Sequence, residues 1–103
     1  MEKTLKIIYL PIALSDLHQI VDYVAFELKS PQAADSFISK LDDAISRLEN
    51  FPLSGTIYKG NKKLEHDYRI LVVENYLVFY TVLSNTLEIH RVLYGRRKLD
   101  ELV

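Results

Sequence analysis

The chain has 103 residues, no cysteine, 49% hydrophobic residues and a net charge of −1. That length allows one domain, residues 1–103, with no room for a second core, and the lack of cysteine excludes disulfides, thiol nucleophiles and thiolate metal sites. The charge is too balanced for a protein living on nucleic-acid phosphates alone, yet uneven: residues 1–51 carry five Lys/Arg against eight Asp/Glu, and residues 52–103 carry eight against six.

The opening MEKTLKIIYLP has one short apolar run and no small-residue cleavage site after it. It is expected to be neither a signal peptide nor a membrane span. A cytoplasmic setting fits the lack of cysteine. Leu5 to Leu10 reads as a first strand, stopped by Pro11. Ala13, Leu14, Leu17, Ile20, Val21, Val24 and Leu28 then follow helical spacing, with Asp16, Gln19, Asp22 and Glu27 on the other side. Tyr23 and Phe26 lie away from that stripe, as a contact patch or as the edge of a broad core.

Ser30-Pro31 separates this helix from the next. Serine caps helix N-termini, and proline suits the first helical position because its missing N–H would be unpaired there. Ala33, Ala34, Phe37, Ile38, Leu41, Ile45 and Leu48 form the second apolar stripe, ended by Asn50 and Pro52. So short a link predicts an antiparallel helical hairpin. Residues 52–66 read as a loop, with a short strand around Thr56 to Lys59. Lys59, Lys62 and Lys63 are a solvated group or a weaker nucleic-acid contact.

Three runs rich in Tyr, Val, Ile, Leu and Phe follow, at Tyr68–Val73, Tyr76–Leu83 and Leu87–Tyr94. Glu74-Asn75 and Ser84-Asn85-Thr86 are short enough to link them as consecutive hairpins. The fold class predicted is α+β: an N-terminal strand, a helical hairpin, then a three-stranded antiparallel meander with the helices on one face. Both faces of the sheet are apolar. Tyr76, Val78, Tyr80 and Val82 point one way, and Leu77, Phe79, Thr81 and Leu83 the other. The second face is covered either by a partner or by the loop and chain ends.

Arg69, Arg91, Arg96 and Arg97 lie in or just past these strands. They read as a cationic patch for a phosphate or an acidic partner, or as ion pairs to Glu74, Glu88 or Asp67. For Arg91, set between apolar residues, a buried pair is the better reading. His90 reads as a surface strand histidine rather than a proton-transfer group. With His18 and His66 it is too scattered for zinc. No metal site and no cofactor are expected, and Gly55, Gly60 and Gly95 do not form a phosphate loop.

The order of YLPIALSDLHQIVDYV, AISRLENFPLSG, YRIL, NYLVFYTV and EIHRVLYGRRKL resembles the RelE/ParE superfamily of type II toxin–antitoxin toxins over nearly the whole chain. The resemblance implies a small growth-arresting protein silenced by a cognate antitoxin. RelE-like members cut messenger RNA on the ribosome, and ParE-like members poison DNA gyrase. The paired lysines of the RelE-like pattern align with Arg69 and Leu71, the next arginine with Leu77, and the last-strand arginine with Arg97. The C-terminal tyrosine position falls near Val103. Half of that set is absent, so the ParE-like branch is favoured, with the chain a binding protein rather than a catalyst. The implied partners are the antitoxin and DNA gyrase, with no membrane, and with DNA only through the antitoxin. Arg69, Arg96, Arg97, Tyr76, Tyr80 and Tyr94 are the candidate residues for binding target or antitoxin. The alternative is a ribosome-dependent messenger RNA endonuclease built on Arg69, Arg91 and Arg97, and a third reading is a degenerate toxin that binds only its antitoxin.

Overall fold

The computed structural model of the chain describes residues 5–27, 29–58 and 68–95. Strand β1 (Lys6–Tyr9) leads into helix α1 (Pro11–Asp22), a single π-helical segment (Tyr23–Glu27) and helix α2 (Pro31–Arg47). Strands β2 (Thr56–Ile57), β3 (Tyr68–Val73), β4 (Tyr76–Val82) and β5 (Thr86–Tyr94) follow. Among the described residues they form one five-stranded sheet in the order β1-β5-β4-β3-β2. β1 runs parallel to β5, and the other neighbours are antiparallel. The predicted α+β order and meander are therefore present, with β1 added beside the last strand. No described helix is long and apolar enough to cross a membrane.

Pro11 does more than end β1, because it occupies the first turn of α1, where its fixed φ and missing N–H fit the helix. The periodic pattern predicted one continuous helix to Leu28, which lies outside the described residues. The chain instead widens into the π segment after Asp22. It closes with Ser30 N donating to Val24 O at 3.2 Å and Lys29 left-handed at φ 52°. Ser30 caps α2 as expected, its hydroxyl accepting from Ala33 N at 3.3 Å.

Ala13 of α1 and Phe37, Leu41 and Ile45 of α2 pack, with Leu48 just beyond it, against Val73, Val78, Tyr80, Leu87, Ile89 and Val92 of the sheet. Two readings of the α1 stripe need correction. Leu14 is 46% exposed, and Asp16, assigned to the polar side, is 8% exposed and faces the sheet.

The opposite face is already buried at its centre within the single chain. Leu77, Phe79 and Leu93 cluster there with Tyr58, Tyr68 and Ile70 against them. Tyr68 stacks on Phe79 at 4.6 Å, and Tyr58 meets it edge-on at 5.5 Å. Of the loop and chain ends expected as one cover, the described contribution is Tyr58, just after β2, whereas Tyr68 and Phe79 belong to the sheet itself. Val72 and Ile57, toward the β2–β3 edge, remain exposed.

Candidate functional site

The sequence places four arginines in the sheet half, but the described ones do not form an open patch. Arg69 lies opposite Tyr80 in the β3–β4 register, and Arg91 opposite Phe79 in the β4–β5 register. From these neighbouring rows each turns to a different internal partner. Arg69 Nη1 donates to Gly55 O at 2.8 Å and to Leu53 O at 3.2 Å. Arg91 Nε and Nη2 donate to Asp16 Oδ2 and Oδ1 at 2.7 and 2.8 Å. The predicted buried pair of Arg91 is thus present, with Asp16 as its partner rather than Glu74, Glu88 or Asp67. The Asp16 hydrogen bonds, more than the attraction between the charges, raise the pKa of Arg91 against the effect of burial. Arg96, Arg97, Lys59, Lys62, Lys63, His66, Asp67 and Val103 lie outside the described residues.

The loop held by Arg69 is also gripped by Tyr80. The Tyr80 hydroxyl donates to Pro52 O and accepts from Gly55 N, both at 2.9 Å. A side chain at Gly55 would start 2.5 Å from that hydroxyl and 2.8 Å from Ile70 O. Only glycine lets the loop pass so close to the sheet. Tyr80, a candidate binding residue by sequence, is wholly buried. Its hydroxyl and the Arg69 guanidinium shape the loop after α2 and hold it against β3 and β4.

Tyr76 and Tyr94 do come together. They pair across β4 and β5, with ring centroids 5.3 Å apart and edge-on. Tyr76 also packs on Phe37 of α2 at 4.6 Å. Burial, then the neighbouring Tyr94 and Tyr23, raise the pKa of Tyr76. Tyr23 therefore joins this group from the π segment, which the sequence marked only as a potential contact side. Tyr23 and Tyr94 are 55% and 62% exposed, and Phe26 is 74% exposed on the same segment. The Lys40–Glu74 pair, at 3.3 Å, links α2 to the turn before Tyr76.

His90 lies half-buried on the opposite face. Its Nε2 is 3.1 Å from Thr81 Oγ1 and 3.5 Å from Glu88 Oε1, and its ring meets Tyr68 edge-on. His18 is exposed on α1. No group of three His, Asp or Glu among the described residues could hold a metal ion.

A family described as the ParE toxin of type II toxin-antitoxin system, parDE, matches residues 7–99. No curated protein sequence matches the chain. A solved structure of the chromosomal ParDE TA system from P. aeruginosa superposes with a TM-score of 0.71 at 17% identity, covering 90% of this chain and 98% of that one. The YoeB dimer from Staphylococcus aureus gives a TM-score of 0.49 at 21% identity, covering 90% and 99%. At 17% identity the likeness to the ParDE structure is one of fold.

Proposed function

The chain belongs to the ParE toxin family of type II toxin–antitoxin systems, and from this premise we propose that it arrests growth by binding DNA gyrase and is neutralised by a cognate antitoxin. One observation carries the choice of gyrase over messenger RNA. Two of the three arginines available to a nuclease site already have internal partners, Arg69 in the loop carbonyls and Arg91 in Asp16. Leu77, where the nuclease pattern would have a cation, is buried at 5% exposure. An arginine with an open face can stabilise charge at a phosphate, but it is a poor general base because it stays protonated.

The antitoxin is proposed to cover apolar surface left exposed on the sheet edge and helical hairpin, including Ile57, Val72 and Ile38. Its acidic groups would meet the arginines at 96 and 97. An amphipathic segment or an added strand would serve. The test is a supercoiling assay with purified gyrase. The chain is expected to inhibit it, and stoichiometric antitoxin to restore it. Unimpaired supercoiling at saturating toxin contradicts the proposal.

A further inference from the structure

The loop between α2 and β2 turns its polar backbone inward and its apolar side chains outward. Phe51 and Leu53, on either side of Pro52, are 66% and 62% exposed. Phe51 N donates to Arg47 O at 2.9 Å, and Phe51 O accepts from Ser54 N at 3.1 Å. Pro52 O accepts from the Tyr80 hydroxyl, and Leu53 O and Gly55 O accept from Arg69 Nη1. Gly55 N donates back to the Tyr80 hydroxyl. Proline fixes one φ in the middle of this run. Two side chains of the sheet thus hold an apolar tip out in water.

This arrangement lowers the cost of docking in two ways. The loop is ordered before it meets a partner, so little freedom is lost on binding. The carbonyls at 51, 52, 53 and 55 already have partners, so covering the tip strands none of them. What a partner gains is the apolar area of Phe51 and Leu53 removed from water.

Shape and charge decide the partner. From Leu48 to Ile57 the only charged residue is Glu49, and there is no Lys or Arg. Arg69 Nη1 faces the loop carbonyls from below. Nothing in the tip suits a phosphate backbone. The two modes proposed for the antitoxin need a groove for an amphipathic segment or an open backbone for an added strand. The tip offers neither, since its side chains stand out and its carbonyls are taken. A rigid apolar projection fits a concave apolar pocket on an already folded protein.

We infer that the Phe51-Pro52-Leu53 tip is the anchor by which this chain docks into an apolar pocket of its protein target. This assignment rests on the gyrase reading and adds the surface that makes the contact.

The test compares wild type with Phe51→Ala, Leu53→Ala, the double variant and Phe51→Glu. Each is assayed for inhibition of purified gyrase and for affinity for purified antitoxin, with thermal melting to establish that it folds. Both side chains are largely exposed, so the variants are expected to melt like wild type. The double variant and Phe51→Glu are each expected to need roughly 10- to 100-fold more protein for half-inhibition, with antitoxin affinity unchanged. Undiminished inhibition by the folded variants overturns the inference alone. An equal loss of antitoxin affinity overturns it by giving the tip to the antitoxin. A wild-type dimer in sedimentation that becomes a monomer in the double variant overturns it by giving the tip to a second copy of the chain. A wild-type chain without effect on gyrase overturns the gyrase reading, and this inference with it.

Discussion

Asp16 on α1 and Arg91 on β5 form a two-bonded ion pair, at 2.7 and 2.8 Å, between helix and sheet. The Asp16 carboxylate also accepts from Val92 N at 3.0 Å. The pair sits at an irregularity in β5, where Arg91 opposes Phe79 and Ile89 opposes Tyr80, leaving His90 as the extra residue. Such a bulge re-aims the side chains beside it. After it the alternation changes phase, so that Ile89 and Val92 both face the helices and Leu93 faces away. One carboxylate thus ties α1 both to the side chain and to the backbone of the bulged strand.

Breaking this pair from the aspartate side is the more damaging change. Asp16→Ala leaves a largely buried guanidinium and the Val92 amide without their acceptor. The expected cost is near the lower end of about 3–5 kcal/mol, because Arg91 keeps some contact with water. Arg91→Ala should cost less, since Asp16 retains the Val92 bond. The double variant should fall short of the sum of the two. Urea melts of the four proteins measure this, and additive losses would show that the pair is not coupled.

Tyr80→Phe removes the donor to Pro52 O and the acceptor for Gly55 N, and is expected to cost about 1–3 kcal/mol. Gly55→Ala should cost at least as much, because its Cβ also meets the backbone at Ile70 O. Phenylalanine at 80 should not rescue alanine at 55, since the ring edge and that carbonyl remain. Thermal melts of the single and double variants check this. A double variant as stable as Tyr80→Phe would contradict the geometry.

Glu74 sits at φ 58° in the two-residue β3–β4 turn, where hairpins prefer glycine. Its ion pair with Lys40 is exposed on both sides and contributes little. Relief of the left-handed strain, about 1–2 kcal/mol for a residue with a Cβ, exceeds the roughly 0.5–1 kcal/mol of extra unfolded-chain entropy that glycine brings. Glu74→Gly should therefore stabilise the chain by up to about 1 kcal/mol. A raised urea midpoint is the expected result, and a lowered one would mean that the Lys40 contact outweighs the backbone relief.

Much of the fold follows from local pattern. The ends of β3 coincide with the apolar run Tyr68–Val73, and α2 begins immediately after its Ser30 cap. Local spacing fails where distant residues set the outcome. Asp16 is polar by type, and only its partner 75 positions later explains its burial. Nothing local to Gly55 reveals the Tyr80 hydroxyl beneath it. Arg69 and Tyr80 carried the right chemistry for a binding surface, but their reach toward the α2–β2 loop depends on a contact across the fold. Tyr76 and Tyr94 meet because of strand register, whereas the π segment that adds Tyr23 leaves no separate mark in the apolar pattern.

Stability should decline at alkaline pH. Burial is the leading cause that raises the pKa of Tyr9, Tyr76 and Tyr80, opposed at Tyr80 by the Gly55 amide and Arg69. In the unfolded chain these phenols ionise near pH ~10. Folding delays their ionisation, so the folded state holds more protons in that window. Their contribution is complete below about pH 10 and is lost as pH rises through the folded values. Urea midpoints across this range test the sign, and an increase above about pH 10 would contradict it.

The most direct test of the central claim measures gyrase supercoiling and messenger RNA cleavage on purified ribosomes with one preparation of the chain. The account predicts inhibited supercoiling, relieved by antitoxin, and intact messenger RNA. Codon-positioned cleavage with supercoiling unaffected, abolished by Arg69→Ala or Arg97→Ala, would contradict it and assign the chain to the ribosome.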